Sequence, residues 1–285
     1  MRFIQLLRHP ELREPVLIVA FRGWNDGGEA SSSALAYLRD RWGAEPFADL
    51  DVEEFLDFQV TRPTVRLEGG VTRRIDWPES RFWHASVQGR DAILFLGVEP
   101  SMRWRTMTQE FVELAREIGA RATVTLGAFL ADVPHSADSP VTGSAGDERK
   151  AKELGLTTSR YEGPTGIVGV LHDAFAKAGF PSASLWAAVP HYLPGGPNPK
   201  AALSLVRKIS ALTDMPVEVD TLERAVETWE QQIASTISDN PELAAYVSQL
   251  EQGASERGTL PEIPSGDALA DELERFLREQ RGGRS

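Results

Sequence analysis

The sequence predicts an α/β protein with three layers, α/β/α, around a mainly parallel mixed sheet. Apolar runs rich in β-branched and aromatic residues alternate along the chain with stretches of helical periodicity. Such alternation is typical of parallel strands that are covered by helices on both faces. One hairpin pattern, TVRLEGGVTRRI at 64–75, interrupts the alternation and predicts an antiparallel edge on this sheet.

Continuous apolar runs predict the buried strands, because a strand that is covered on both faces has no polar side. These runs are VLIVAF (16–21), DAILFLG (91–97), ATVTLGAFL (122–130) and ASLWAAVPHY (183–192). Helices are expected between and after them: one at 27–42, one that ends near residue 118, one at 165–178, and one that begins with Asn198 as its N-cap and Pro199 as its first residue. At the first helix, Asp26 is predicted as the N-cap and Glu29 as its capping-box partner.

The pattern changes near residue 220 and divides the chain into three parts. Residues 1–219 are predicted to form the α/β/α domain, and 220–251 a helical extension that packs on it. Residues 252–285 are expected to be a partly flexible linker that ends in an amphipathic helix, DALADELERFLREQ.

Composition excludes several classes of function. The formal net charge is −12, which argues against nucleic-acid and anionic-membrane partners, because phosphate binding needs a positive surface. There is no cysteine, so thiolate nucleophiles and Cys-ligated metals are excluded. The sequence has no Walker loop, no GxGxxG after a strand, no GxSxG and no HExxH, and we expect neither a cofactor nor a metal. The N-terminus lacks a signal-peptide core and no apolar stretch is long enough for a membrane span, so a soluble, cytoplasmic protein is predicted.

Ligands of such folds bind at the carboxyl ends of the strands, and the unusual residues fall in the loops expected there. These loops are 22–28, 97–103, 130–146 and 190–198, and the turn at 162–166 is a further candidate. The candidate ligand or interaction rim therefore comprises Arg22, Gly23, Trp24, Asn25, Asp26, Glu99, Pro134, His135, Gly163, Thr165, His191 and Tyr192.

Each rim feature has a structural interpretation beside a functional one. The corner FRGWNDGG (21–28) has the glycines and the helix N-terminus of a phosphate site, yet Asp26 and Glu29 would occupy the same N–H groups. The sequence VPH occurs twice, at 133–135 and 189–191, and its histidines could bind a metal, share a proton or merely end a strand. Glu99 could act in acid/base chemistry or simply be solvated.

Six motifs in this order resemble the proteasome assembly chaperone family, in the form carried by actinobacteria. They are FRGWNDGG (21–28), DFQVTRP (57–63), GVEPS (97–101), ADVPH (131–135), YEGPTG (161–166) and AVPHY (188–192). The resemblance covers roughly residues 1–250. It implies a fold similar to the nucleoside phosphorylase-like group, self-association into small rings or trimers, and action as a chaperone on proteasome α-subunits.

Two segments depart from the pattern of that family. The chain ends Gly282-Gly283-Arg284-Ser285, without the hydrophobic–tyrosine–any motif through which such proteins dock on the proteasome. The segment HSADSP (135–140) lacks the arginine of the His-Thr-Arg-Pro run of relatives.

Two functions follow from the sequence. The first is a non-enzymatic, proteasome-assembly-chaperone-like protein that self-associates and binds other proteins, possible partners being proteasome subunits. The alternative is a phosphorylase-like or hydrolase-like enzyme that acts on a small phosphate- or nucleoside-type ligand at the strand-end rim. Its candidate residues are Arg22, Asp26, Glu99, His135 and His191.

Overall fold

The computed structural model describes residues 1–145, 152, 162–193 and 195–257. Its strands are β1 (Ile4–Leu6), β2 (Val16–Arg22), β3 (Glu45–Leu50), β4 (Thr64–Glu68), β5 (Thr72–Asp76), β6 (Arg81–Val87), β7 (Arg90–Val98), β8 (Ala122–Ala131), β9 (Val141–Ala145) and β10 (Ser182–Pro190). The helices described over their whole length are α1 (Ala30–Arg41), α2 (Trp104–Glu117), α3 (Ile167–Lys177), α4 (Pro199–Thr213), α5 (Asp220–Ser238) and α6 (Pro241–Arg257). Helix α6 extends past its predicted end at residue 251, and the predicted terminal helix lies outside the described residues.

Eight strands form one mixed sheet in the order β1-β3-β6-β7-β2-β8-β10-β9. Its centre, β7-β2-β8-β10, is parallel, and the strands on either side of this centre pair antiparallel. Helices cover both faces of the sheet. The predicted fold class, a three-layer α/β/α architecture on a mainly parallel mixed sheet with C-terminal helices, is confirmed.

Strand β2 shows why the central runs are continuously apolar. Its side chains alternate between the two faces of the sheet, as the pleat of a strand requires. Val16, Ile18 and Ala20 pack with α1, α4 and α5 in one core. Leu17 and Phe21 pack with α2 and α3 in the other, where Phe21 contacts Phe95 at a ring-centroid distance of 5.1 Å.

The hairpin prediction was right about pairing and wrong about place. Among the described residues, strands β4 and β5 pair only with each other, as a separate two-stranded sheet. The antiparallel side of the main sheet is made by β6, β3 and β1, with β9 on the other edge. Only alternate residues of β4 are apolar, whereas β6 (RFWHASV) carries the buried Phe82 and Ala85 that a core strand needs.

Candidate functional site

Most of the candidate rim residues lie at or just after the ends of β2, β7, β8 and β10, and several of them belong to two separate clusters. The Glu99 cluster comprises Trp24, Asn25, Glu99, Gly166 and Ile167. The tyrosine–histidine cluster comprises Asp132, His135, His191, Tyr192 and Tyr246.

The corner after β2 brings its backbone against Glu99. Gly23 has φ 130°, and a Cβ built on it would lie 3.0 Å from the Glu99 Cβ, so glycine is required for conformation and for space. The chain then turns back, since the Asp26 N–H donates to the Gly23 carbonyl at 3.0 Å. The Asn25 carbonyl accepts from the Ala128 N–H at 2.8 Å, which fixes the corner to β8.

Three donors converge on the carboxylate of Glu99. The Asn25 Nδ2 donates to Oε1 at 2.5 Å, the Ile167 N–H donates to Oε1 at 3.2 Å, and the Trp24 N–H donates to Oε2 at 3.1 Å. Burial raises the pKa of Glu99, and these hydrogen bonds oppose the rise because they stabilise the charged form. Of the two interpretations of Glu99, the simply solvated carboxyl is wrong: the group is partly buried and connects its own loop to the corner after β2 and to the start of α3.

Gly166 lies where α3 begins and leaves room for Asn25. A Cβ on Gly166 would lie 2.1 Å from the Asn25 Oδ1, so any larger residue would displace the buried amide. Within the described residues, the Asn25 Oδ1 has no hydrogen-bond partner. Because Gly166 has no side chain to cap α3, the Glu99 carboxylate supplies the cap from the end of β7.

The Asp26 carboxylate likewise accepts hydrogen bonds at the start of a helix, here α1. Its Oδ1 accepts from the Ser31 N–H at 2.8 Å, the Ser31 Oγ at 2.6 Å and the Ser32 N–H at 3.1 Å. Asp26 therefore caps α1, as predicted, but across an intervening 3-10 turn. The capping-box role of Glu29 was wrong, because Glu29 is the residue before α1, at φ 47°, and the Asp26 N–H that it would accept from donates to the Gly23 carbonyl instead. The helix end that an anion would need is filled by the chain's own carboxylate, which favours the structural interpretation of FRGWNDGG.

The two VPH loops meet at the ends of β8 and β10. The Tyr192 Oη accepts from the His135 N–H at 2.7 Å and lies 2.9 Å from the His135 Nδ1. Since the hydroxyl accepts from the amide, its own proton is free to go to Nδ1, which suits a neutral imidazole. Burial raises the pKa of Tyr192 to about 12, and burial with the nearby Lys200 cation lowers the pKa of His135.

Helix α6 lies against these loops through Tyr246. The Tyr246 hydroxyl donates to the Asp132 Oδ1 at 3.2 Å, and the His191 Nδ1 lies 3.1 Å from the same oxygen. The Tyr246 ring stands edge-on to His191 and Tyr192, at centroid distances of 5.7 and 5.8 Å. The helical extension is thus part of this cluster.

Two residues here escaped the sequence prediction. Lys200 is buried, donates to the His135 carbonyl at 2.7 Å and pairs with Glu230 on α5. It is the second residue of α4, directly after the predicted Asn198–Pro199 start, and only its tertiary contacts give it a role. Tyr246 carried no local signal, because it is one aromatic residue in an otherwise ordinary amphipathic helix.

The remaining candidates lie apart from both clusters. Arg22 is exposed at the end of β2. Trp24, which belongs to the Glu99 cluster through its backbone N–H, has a half-buried side chain. Gly163 and Thr165 are exposed on the turn before α3, and Pro134 is buried. These positions leave Arg22 facing solvent.

The described residues contain no group of three or more His, Cys, Asp or Glu side chains that could hold a metal ion. In the same part of the chain, every helix is too short or too polar to cross a lipid bilayer.

A family model and two solved structures of similar sequence point to the same family. The model of the PAC2 family matches residues 20–237. A PAC2 family protein from Streptomyces avermitilis is 45% identical, with a TM-score of 0.74 over 82% of this chain and 99% of that one. A proteasome-assembly chaperone homologue from Mycobacterium tuberculosis is 44% identical, with a TM-score of 0.75 over 81% and 99% of the two chains.

A more distant structure shares the fold alone. An archaeal proteasome activator from Pyrococcus furiosus is 15% identical, with a TM-score of 0.65 over 83% of this chain and 99% of that one. The search of curated proteins found no match.

Proposed function

The chain belongs to the PAC2 family, and we propose that it is a proteasome-assembly-chaperone-like protein that acts without catalysis, by binding other proteins and itself. One relative of similar sequence is described as a homologue of a proteasome-assembly chaperone, and one of similar fold as a proteasome activator. These descriptions support proteasome subunits as the partners of this chain. The cytoplasm is the compartment that we propose, and the absence of cysteine is compatible with it.

The observation that carries this proposal is that the carboxyl groups of the rim cap helices of the same chain. Glu99 and Asp26 accept hydrogen bonds from the backbone N–H groups that begin α3 and α1. A general acid or base must reach a substrate proton, and each of these groups is already in contact with several protein donors. The imidazole of His135 is likewise bonded to Tyr192. The rim therefore favours a rigid scaffold over a reaction site.

Binding to proteasome α-subunits tests the proposal directly. The purified chain would be mixed with α-subunits of the same cell, produced without β-subunits, and the mixture separated by size-exclusion chromatography. We expect a complex that contains both proteins and accelerates assembly of the α-ring. If the two proteins elute apart at every concentration tried, the chaperone role is refuted.

A thermal-shift panel of phosphate, nucleosides and nucleotides tests the enzyme alternative. A ligand that binds the folded state raises the melting temperature by mass action. We expect a flat profile for the wild type. The opposite result would be a ligand that raises the melting temperature of the wild type and of the exposed-site variant Glu227→Ala, but not that of Arg22→Ala or Glu99→Gln. This result would favour the phosphorylase-like or hydrolase-like enzyme.

A further inference from the structure

Large exposed apolar side chains concentrate on the β4–β5 hairpin. Six of the nine such side chains among the described residues fall between Val60 and Trp77. Val65 pairs with Ile75 across the ribbon, and these side chains are 56% and 54% exposed. Leu67, which is 62% exposed, pairs with Arg73 two residues further on, so all four side chains project from the same face. This apolar hairpin face has the composition of an interaction surface.

The other face of the hairpin is charged, and its charges pair within the ribbon. Arg74 pairs with Glu68 at 3.1 Å and with Asp76 at 3.4 Å. Arg66 pairs with the same Asp76. Arg73 is the one cation on the apolar hairpin face, and in the described part of the chain it makes no ion pair. A surface that fits the apolar hairpin face is therefore apolar, with a carboxylate at its margin.

The hairpin is anchored at the edge of the sheet where the central parallel strands end. Strand β6 runs antiparallel to β7, with Arg81 opposite Leu96, and β3 runs antiparallel to β6, with Asp49 opposite Arg81. Strand β3 therefore ends, and β6 begins, at the carboxyl end of β7. The connection between them, residues 51–80, contains the hairpin, so both of its ends lie at this edge.

Helix α6 brings the chain to the same edge from the other side of the sheet. Its Glu251 accepts from the Ser136 Oγ at 2.6 Å, and Ser136 follows the end of β8. Strands β6 and β10 are four strand spacings apart, which is about 19 Å. The six helical residues after Glu251 add at most about 9 Å. The eleven residues between Arg257 and Leu269 span up to about 36–40 Å when extended, so the chain after α6 can reach the hairpin.

The segment DALADELERFLREQ (267–280), here called the terminal segment, has a sequence that is complementary to the apolar hairpin face. It lies outside the described residues, and its pattern predicts an amphipathic helix. The apolar residues recur at the i, i+4, i+7 and i+8 spacing of a single helix face: Leu269, Leu273, Phe276 and Leu277. On such a helix Glu272 and Glu274 flank the apolar stripe, whereas Arg275 and Arg278 fall on the opposite side.

We infer that the terminal segment docks on the apolar hairpin face of its own chain. Its apolar stripe covers Val65, Leu67 and Ile75, and a flanking glutamate meets Arg73. Burial of these side chains from water favours the contact. The short connection to α6 favours the same chain over a second copy, because it holds the segment at a high effective concentration. The contact also stabilises the hairpin, since a two-stranded ribbon alone is at best marginally stable in water.

Hydrogen exchange of the full chain, measured by mass spectrometry, tests the docking from the side of the segment. We expect Leu273→Ser/Phe276→Ser to speed the exchange of the hairpin amides at 64–76 by about tenfold or more, because the ribbon loses its cover. Arg278→Ser, on the opposite side of the predicted helix, is the matched control and should leave these amides unchanged. The amides of β2 report whether the main sheet is intact. Equal hairpin exchange in the wild type and the double variant would overturn the inference.

Cross-linking tests the contact itself. The chain has no cysteine, so the double variant Leu67→Cys/Leu273→Cys contains a single pair of thiols. A short bis-maleimide reagent should join them within one chain. The matched control carries the same two cysteines together with Val65→Ser and Ile75→Ser, which keeps the connection and removes the apolar anchors. We expect its yield to be about tenfold lower, since buried apolar anchors dominate such contacts. Equal yields would contradict docking on this face.

A mixture of single-cysteine variants identifies the chain that receives the segment. Leu67→Cys and Leu273→Cys, mixed at equal concentration, can form a mixed cross-link only between two chains. We expect little of this product, and a yield equal to that of the double variant would overturn docking within one chain. The docking is independent of the proposed chaperone role, because the contact needs no other protein. Capture of α-subunits by the same variants therefore succeeds or fails separately.

Discussion

The Oε1 atom of Glu99 accepts a hydrogen bond from the backbone N–H of Ile167, 3.2 Å away, and so caps helix α3 from the end of a neighbouring strand. The same oxygen accepts from the Asn25 amide, which belongs to a third loop. One carboxyl therefore holds together three segments that are far apart in the sequence.

Removal of this carboxyl should destabilise the protein. We expect Glu99→Ala to lower the free energy of unfolding by about 1–3 kcal/mol, because a helix cap is lost and partly buried donors are left without an acceptor. Urea unfolding measures the change. Glu227→Ala, at an exposed position of α5, should change the free energy by less than about 0.5 kcal/mol. Equal losses in the two variants would contradict the capping role.

The raised pKa of Glu99 predicts a particular dependence of stability on pH. A carboxyl whose pKa is higher in the folded state binds its proton more tightly there, so protonation favours folding. This contribution is complete below the ordinary value of 4.5 and is lost as the pH rises through the raised pKa. Glu99→Gln cannot titrate, so we expect the unfolding free energy of the wild type, minus that of this variant, to fall over that window. A difference that stays constant from about pH 4 to 8 would refute the assignment.

The close contact between Gly166 and Asn25 predicts a steric effect. We expect Gly166→Ala to destabilise the fold by about 1–3 kcal/mol, since its Cβ would overlap the Asn25 Oδ1. Gly195→Ala is the matched control, because a Cβ there meets nothing within 4 Å. Melting temperatures of the two variants provide the comparison, and a tolerated Gly166→Ala would show that Asn25 moves aside freely.

Asp26 offers a test that separates shape from charge. Asp26→Asn keeps an oxygen at the Oδ1 position, which accepts from Ser31 and Ser32, and we expect it to retain most of the stability. Asp26→Ala leaves those donors unanswered and should cost about 1–3 kcal/mol. Chemical denaturation of the pair decides the matter: similar losses would mean that the charge, and not the acceptor geometry, matters at this helix end.

The contacts of Tyr246 predict that it holds α6 in place. We expect Tyr246→Ala to lower the protection of α6 amides against hydrogen exchange, because the ring contacts with His191 and Tyr192 disappear. Tyr246→Phe should lose less, since only the hydrogen bond to Asp132 is removed. Ser248→Ala, at an exposed position of the same helix, is the control. Unchanged exchange in Tyr246→Ala would contradict this role.

The sequence predicted those features that local patterns encode. Continuous apolar runs such as VLIVAF marked the parallel centre of the sheet, and Asn198 with Pro199 marked the start of α4, where the Asn198 Oδ1 does accept from the Ala201 N–H at 2.9 Å. The clustering of rim loops followed from strand direction alone, because parallel strands end at one edge of the sheet.

Features that depend on distant partners could not be predicted. Glu99 resembled any exposed acid, since its burial and its three donors come from loops elsewhere in the chain. The run FADLDVEEFLDF at 47–58 gives no local sign of where a strand would end, yet β3 ends at Leu50 and Phe55 turns into the core. The prediction that the hairpin forms an edge of the main sheet was wrong for the same reason. Alternation of apolar residues predicts that two strands pair, but it does not predict the sheet to which the pair belongs.

The position of β2 at the centre of the sheet has a consequence during synthesis. Val16 pairs with Ala92 on one side and with Ala122 on the other, so the first apolar run has neither neighbour until the chain is far longer. Such pairing of distant segments folds slowly, because a long loop must close before its contacts are gained. A nascent chain therefore carries VLIVAF uncovered while the ribosome makes β7 and β8. We therefore expect the yield of folded protein to depend on translation speed and on chaperones that bind the unfolded nascent chain. Its dependence on the stability of the finished fold should be weaker.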